Sequence, residues 1–266
     1  MAAETLAPGF RFPERTLIRE AAAQDAALRA CAVDPAVWGD LTEPTLWGND
    51  GFRAMSAAGQ GIDGYIHVEH RLTLFGTVPL GGAVLFSGET VSNEEVPRGR
   101  QIVQRFEVRR ADRSLAVVSE HVRLLPDLEK MGAPSAGRPT GGRSDDRIPA
   151  TVLAEKTMRP DDVAAYSRPV GNEIHFDPAF AARYGYRAPL AQGLMTMTWM
   201  TGYLAADLRS APTAALVARF RRPIFWDDRL TLVGERDLEG VHARLCALNG
   251  DGRLACELTM ALEEST

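Results

Sequence analysis

The sequence predicts an α+β fold: two antiparallel sheets, each wrapped on a long central helix. Three observations carry this reading. Alternating, β-rich runs recur in two blocks, 64–126 and 215–262, each divided by turn residues. The two blocks look like copies of one another. AVLFSGETV at 83–91 aligns with LTLVGERDL at 230–238 on Gly88-Glu89 against Gly234-Glu235, and the turn ADRSLA at 111–116 aligns with GDGRLA at 250–255. A repeat this long means a duplicated module, not a solenoid. Finally, a long apolar run, LMTMTWMTGYLAADL from Leu194, precedes the second block as a central helix would.

Residues 1–15 read as an extended lead-in, and 17–33 as a helix from their helix formers and apolar spacing. Residues 34–47 are rich in turn formers. A helix over 49–58 starts at Asn49 or Asp50 and is weakened by Gly51. Strands follow over GYIHVEHRLTLFG, AVLFSGETVSNEEV, IVQRFEVRR and LAVVSEHVRLL, joined by turns such as PRGR. The stretch 127–149 is Gly, Pro, Ser and charge without apolar periodicity, and reads as a linker. It divides a first domain, 1–126, from a second, 150–266. The second opens with the strand TVLAEKTM and the helix RPDDVAAYS, which has Pro160 and acidic residues in its first turn. A helix from about Gln192 to Asp207 and four β-like runs complete it: ALVARFRRPIF, RLTLVGERDL, VHARLCALN and RLACELTMAL.

Composition excludes several classes. The net charge of −5, with no basic block, disfavours nucleic-acid binding. No apolar run approaches the roughly 20 residues of a membrane span, and the polar N-terminus is not a signal peptide. Three cysteines, Cys31, Cys246 and Cys256, without CxxC spacing point to a reducing, cytoplasmic setting, with Cys246 and Cys256 read as packing thiols on neighbouring strands. No metal or cofactor is expected.

Chemistry concentrates in YSRPVGNEIHFDPAFAARYGYRAPLAQGL, residues 166–194. A polar turn carries Asn172, Glu173 and His175, and Asp177-Pro178 has the form of a helix N-cap followed by Pro. A Pro-bounded link then brings Gln192 and Gly193 to a helix start. An imidazole, a carboxylate and backbone N–H groups at a helix start are a kit for acid–base chemistry beside a carbonyl. Glu173 lies two residues from His175, so an extended backbone would place both on one face. The simpler roles stay open: a turn histidine, a solvated carboxylate, a turn-forming Asn172 and a packing Gly193. His67, His70, His121 and His242 show no partner pattern and are assigned no role.

The second half resembles the MaoC-like hydratases of the (R)-specific enoyl-CoA hydratase/dehydratase type, which have a hot-dog fold. Their pattern is a tyrosine, S-G-D-x-N-P-(I/V/L)-H, D-P-x-x-A and P-x-x-H-G-(M/L)-L. Here it meets Tyr166, Asn172, Ile174, His175, Asp177-Pro178, Ala181, Pro189 and Gly193-Leu194. The weaker likeness over 64–126 resembles the degenerate half of double hot-dog members. Three positions depart: Val170 falls where the family has its catalytic Asp, Glu173 replaces a proline and Gln192 replaces a histidine.

The resemblance implies a hydratase/dehydratase interconverting 2-enoyl-CoA and 3-hydroxyacyl-CoA. It implies His175, Glu173 and Gly193 as catalytic groups, with Asn172, Tyr166, Gln192 and Leu194 binding substrate. Glu173 stands as the candidate replacement for the missing Asp, and the altered motif suggests an unusual acyl group, for example branched or dicarboxylic. Arg219, Arg221 and Arg222 are candidates to face CoA phosphates. An acyl-CoA thioesterase on the same fold and a degenerate acyl-CoA-binding subunit are the alternatives. The implied partner is an acyl-CoA-type thioester, with no nucleic acid, no membrane and a possible homodimer.

Overall fold

A computed structural model describes residues 2–61, 63–127, 148–238 and 240–263. The linker expected over 127–149 lies almost entirely outside the described residues. The strands are β1 (Arg11–Ile18), β2 (Ile66–Leu74), β3 (Ala83–Val96), β4 (Gly99–Arg109), β5 (Leu115–Pro126), β6 (Thr151–Thr157), β7 (Thr213–Phe220), β8 (Arg229–Arg236), β9 (His242–Leu248) and β10 (Leu254–Glu263). They pair in the order β1-β3-β4-β5-β2-β7-β10-β9-β8-β6. The two expected sheets therefore join edge to edge through β2 and β7 into one sheet of ten strands. The order is a palindrome of the duplication, because adding five to each strand number of the first half gives its counterpart in the second. The shared Gly-Glu step has one job in both copies. A Cβ on Gly88 would stand 2.3 Å from the Phe106 ring across the ladder, and a Cβ on Gly234 would stand 2.6 Å from Leu245.

The lead-in differs from expectation. Residues 11–18 pair with β3 as an edge strand, Pro13 falling where the register shifts, so the helix expected from residue 17 begins only at Ala21. Pro is tolerated there because an edge strand has one unpaired side. The helices are α1 (Ala2–Thr5), α2 (Ala21–Ala30), α3 (Leu46–Ala57), α4 (Pro160–Ser167), α5 (Pro178–Arg183), α6 (Gly193–Gly202) and α7 (Ala205–Ser210). The long helix expected over 192–207 is thus broken after Gly202 into α6 and α7, and α6 spans only about 15 Å. Leu194 to Thr201 of α6 are all buried. One core cluster holds Phe86 and Leu72 of the first half together with Met197, Leu216 and Leu258 of the second. All three cysteines are free and buried.

Polar groups lock α3 to α6 inside this core. Thr45 and Thr198 share a hydroxyl hydrogen bond of 2.6 Å. The fully buried Glu43 carboxylate accepts from the backbone N–H of Thr45 (3.1 Å) and Leu46 (3.2 Å) and from the hydroxyl of Thr201 (2.9 Å). It thereby satisfies the N–H groups that a helix start leaves without an internal acceptor.

Candidate functional site

The segment singled out in the sequence folds as a clamp. Asn172 Oδ1 accepts from Ile174 N at 3.3 Å, closing a 3-10 turn over Glu173–His175. Asp177 Oδ1 accepts from Ala179 N (2.8 Å) and Phe180 N (3.0 Å), the expected cap of α5. The link before α6 is pinned on two sides: Leu190 N donates to Ile174 O at 3.1 Å, and Ala191 N donates to Ile224 O at 2.8 Å.

His175 Nδ1 lies 2.8 Å from the Leu190 carbonyl oxygen. A carbonyl only accepts, so Nδ1 carries the hydrogen, and the neutral ring keeps its lone pair on Nε2. Burial holds the His175 pKa down at about 4, outweighing the bond to Leu190, which acts in the opposite direction. The ring is therefore neutral, and a base, at pH 7.

His175 opens onto a cavity of about 280 Å³ at the seam between the halves. The second half supplies Val170, Asn172, Ile174, Tyr186, Leu190 to Gly193 and Phe220 to Ile224, while the first supplies Phe52, Tyr65 to Val68, Arg98 and Arg123. Arg98, Arg221 and Arg222 are exposed at its rim, and Arg123 is buried. Among the described residues that line it there are four arginines and two histidines, and no carboxylate.

The structure brings together His175, Gly193, Asn172 and Gln192, all of which line the cavity. Gln192 precedes α6 and is buried with its Oε1 unpartnered. Gly193 opens α6, where a Cβ would stand 2.9 Å from the Phe220 ring. The other three expected residues sit elsewhere. Glu173 is exposed and does not line the cavity. The turn around it is 3-10, not extended, so two residues advance about 240° and the side chains of Glu173 and His175 diverge. Tyr166 is buried, its hydroxyl 3.1 Å from Thr198 Oγ1, in the polar joint with Glu43. Leu194 is a core residue against Gly48 of α3. Of the arginines, Arg219 is held by Glu69 at 3.0 Å, outside the lining set.

The sequence assigns nothing to His67, His70 and His121, yet these gather into one cluster, of which His67 lines the cavity. One ring nitrogen from each lies within 4.8 Å of the others, the spacing of a candidate metal-ligand set. Ring centroids stand 4.6 Å apart for His70 and His121, and 5.2 Å for His67 and His121. Burial pushes the His70 pKa down to about 3 and holds His67 and His121 well below the usual range, with the charges of His70 and Arg123 adding to the effect for the latter two. Two glycines of α3 make room for the rings. A Cβ on Gly48 would come within 3.0 Å of His70, and one on Gly51 within 2.6 Å of His121.

Two like halves of one antiparallel sheet, with buried helices and a cavity at the seam, fit the double hot-dog type. Residues 143–243 match the model of the MaoC like domain, so the second half of this chain carries a domain of that kind. HtdX from Mycobacterium tuberculosis has a similar structure, with a TM-score of 0.77 at 19% identity over 94% of this chain and 98% of that one. A MaoC-like dehydratase from Phytophthora capsici gives a TM-score of 0.71 at 13% identity, covering 99% of each chain. An acyl-ACP thioesterase from Bacteroides thetaiotaomicron gives 0.58 at 14% identity, over 94% of this chain and 97% of that one. At such identities the likeness establishes the fold. Comparison with curated proteins gives no match. Among the described residues no helix is long and apolar enough to cross a membrane.

Proposed function

We propose that the protein is a hydratase/dehydratase that interconverts a 2-enoyl thioester, carried on coenzyme A, with its 3-hydroxyacyl form. The observation that carries this reading is a neutral imidazole, His175, lining one cavity with the start of α6 at Gly193. In the hydration direction Nε2 of His175 takes a proton from water as the water oxygen bonds to the β-carbon. Negative charge then builds on the thioester oxygen. The first N–H groups of α6 have no acceptor within the helix and point along its dipole, which suits them to hold that oxygen. The protonated His175 returns its proton to the α-carbon, and dehydration is the reverse.

Glu173 has no part in this scheme, and a single imidazole serves as base and acid in turn. A carboxylate-activated hydrolysis is disfavoured, because the described lining holds no carboxylate. The rim arginines Arg98, Arg221 and Arg222 suit the phosphates of coenzyme A. The chain works as two hot-dog modules, 1–126 and 150–266, of which the second carries the reacting groups and the first closes the cavity.

The test is incubation with a panel of 2-enoyl-CoA thioesters, following the conjugated enoyl absorbance and free thiol in parallel. Loss of absorbance without thiol release supports hydration. Stoichiometric thiol release would replace this reading with thioester hydrolysis.

A further inference from the structure

The inner end of the cavity holds a charge that no described side chain balances. Arg123 is 1% exposed, yet it lines the cavity. Its Nη2 donates to Gln60 Oε1 at 3.1 Å and to Gln104 Oε1, and its guanidinium lies 4.5 Å from the Tyr65 ring centre. Its Nε and Nη1 are buried without a hydrogen-bond partner, and no described carboxylate pairs with it. Neighbouring arginines of the same sheet behave otherwise: Arg105 meets Glu120 at 2.9 Å and Arg219 meets Glu69 at 3.0 Å. A buried cation without an anion costs several kcal/mol, and amide oxygens and a ring face offset only part of that.

The duplication supplies an internal control. Arg123 lies seven residues past Ala116 of the ADRSLA turn, and seven past the matching Ala255 of GDGRLA stands Leu262. One copy of the strand therefore folds with leucine where the other carries an arginine, so packing alone does not call for the charge.

We propose that this inner end binds the free carboxylate of a short dicarboxylic acyl thioester, with Arg123 as its counter-charge and His67 beside it. The thioester half of this statement rests on the hydratase reading above; the anion site does not. The sign of the charge decides between an anion and a metal ion at the histidine cluster. A dication placed among His67, His70 and His121 would add to the buried charge of Arg123, whereas a carboxylate relieves it. The small cavity, about 280 Å³, fits a short acyl group.

Two measurements test this. The first compares wild-type kcat/KM for fumaryl-CoA, which bears the carboxylate, with crotonyl-CoA, which has a methyl in its place. A preference of at least about 100-fold for the carboxylate is expected, since a buried polar group left unpaired rejects the analogue that lacks its partner. Equal use of the two, or a preference for crotonyl-CoA, overturns the proposal and leaves the hydratase reading intact. The second needs no turnover: binding of succinate and of its diamide, which has no carboxylate, is followed by calorimetry in wild type and in Arg123→Met and Arg123→Lys. Succinate is expected to bind at least tenfold more tightly than the amide in wild type, with the difference lost in Arg123→Met and partly kept in Arg123→Lys. If both thioesters stay unreacted while succinate binds this way, the hydratase reading fails and the anion site stands. No succinate preference in wild type, or stoichiometric zinc uptake that His121→Ala abolishes, overturns it.

Discussion

Replacing Gly51 by alanine sets two effects against each other, and the structure says which wins. Gly51 lies inside α3, where alanine is the better helix former by about 1 kcal/mol. The added methyl, however, would stand 2.6 Å from His121 Nε2 and 3.0 and 3.1 Å from two carbons of the Phe106 ring. Relief requires those rings to retreat by several tenths of an ångström. Neither can do so freely. Phe106 is fully buried and stacks on Phe86 at 5.3 Å, and His121, also fully buried, is wedged between Phe52 and His70, each 4.6 Å away. Overpacking of such a core costs about 1–3 kcal/mol. The net expectation is a loss of up to about 2 kcal/mol, read as a melting temperature lower by up to roughly 8 °C in a chain of this size. Thermal and urea denaturation of Gly51→Ala measure it. In a His121→Ala background the nearer ring is gone and Phe106 gains room to shift, so the same substitution is expected to cost less, with a coupling above about 0.5 kcal/mol. A raised melting temperature in the single variant, or no coupling in the cycle, would refute the seating of α3 on that imidazole.

Three further outcomes follow from the geometry. His175→Ala is expected to lower kcat by about 10²–10⁴-fold while Glu173→Gln stays within about twofold, measured on the best enoyl thioester; comparable losses would put the carboxylate back in the mechanism. Glu43→Ala strips buried donors on Thr45, Leu46 and Thr201 of their acceptor, so urea unfolding is expected to show a loss of about 2–4 kcal/mol, and a change below 1 would count against the polar joint. His175 and His70 have folded pKa values of about 4 and about 3 against an ordinary 6.5. A depressed folded value favours the neutral form, so this stability is present above pH 6.5 and is lost as pH falls towards 4 and below, by roughly 3 kcal/mol for His175. A urea midpoint that holds constant from pH 7 to 4.5 would contradict it.

How much of this was legible in the sequence depended on which physical signal each feature leaves. The two copies could be aligned because the glycines at 88 and 234 both lie under a neighbouring strand's side chain, a constraint no other residue meets. The Asp177 cap and the delivery of His175 and Gly193 to one place were legible because caps and turns are local. The strand at 11–18 was obscure because it is an edge strand with only Phe12 fully buried, so it shows no alternation. The break after Gly202 was hidden because a helix buried on all sides has no polar face to mark where it stops. Glu173 was placed beside His175 by assuming extended backbone, and the Asn172-capped turn cancels that assumption.

The histidine cluster shows why a site can be invisible in a chain whose fold is not. His67 and His70 are three apart, and a regular strand would send them to opposite faces. The register of β2 against β5 shifts between His67 and Glu69, and this extra residue turns both rings to one face. His121 then arrives by cross-strand pairing with His70. Five residues past Ala116 stands His121, and five past the matching Ala255 stands Met260, whose partner on β7 is Leu216. The same pair of positions is therefore two imidazoles in one copy and two apolar chains in the other, and both copies fold. The fold tolerates either, so packing alone does not call for the imidazoles, which stand behind His67 at the cavity wall. On this reading the duplicated modules have divided the work, one keeping the loop that holds a base beside a helix start, the other turning its equivalent face into the wall that reads the acyl group.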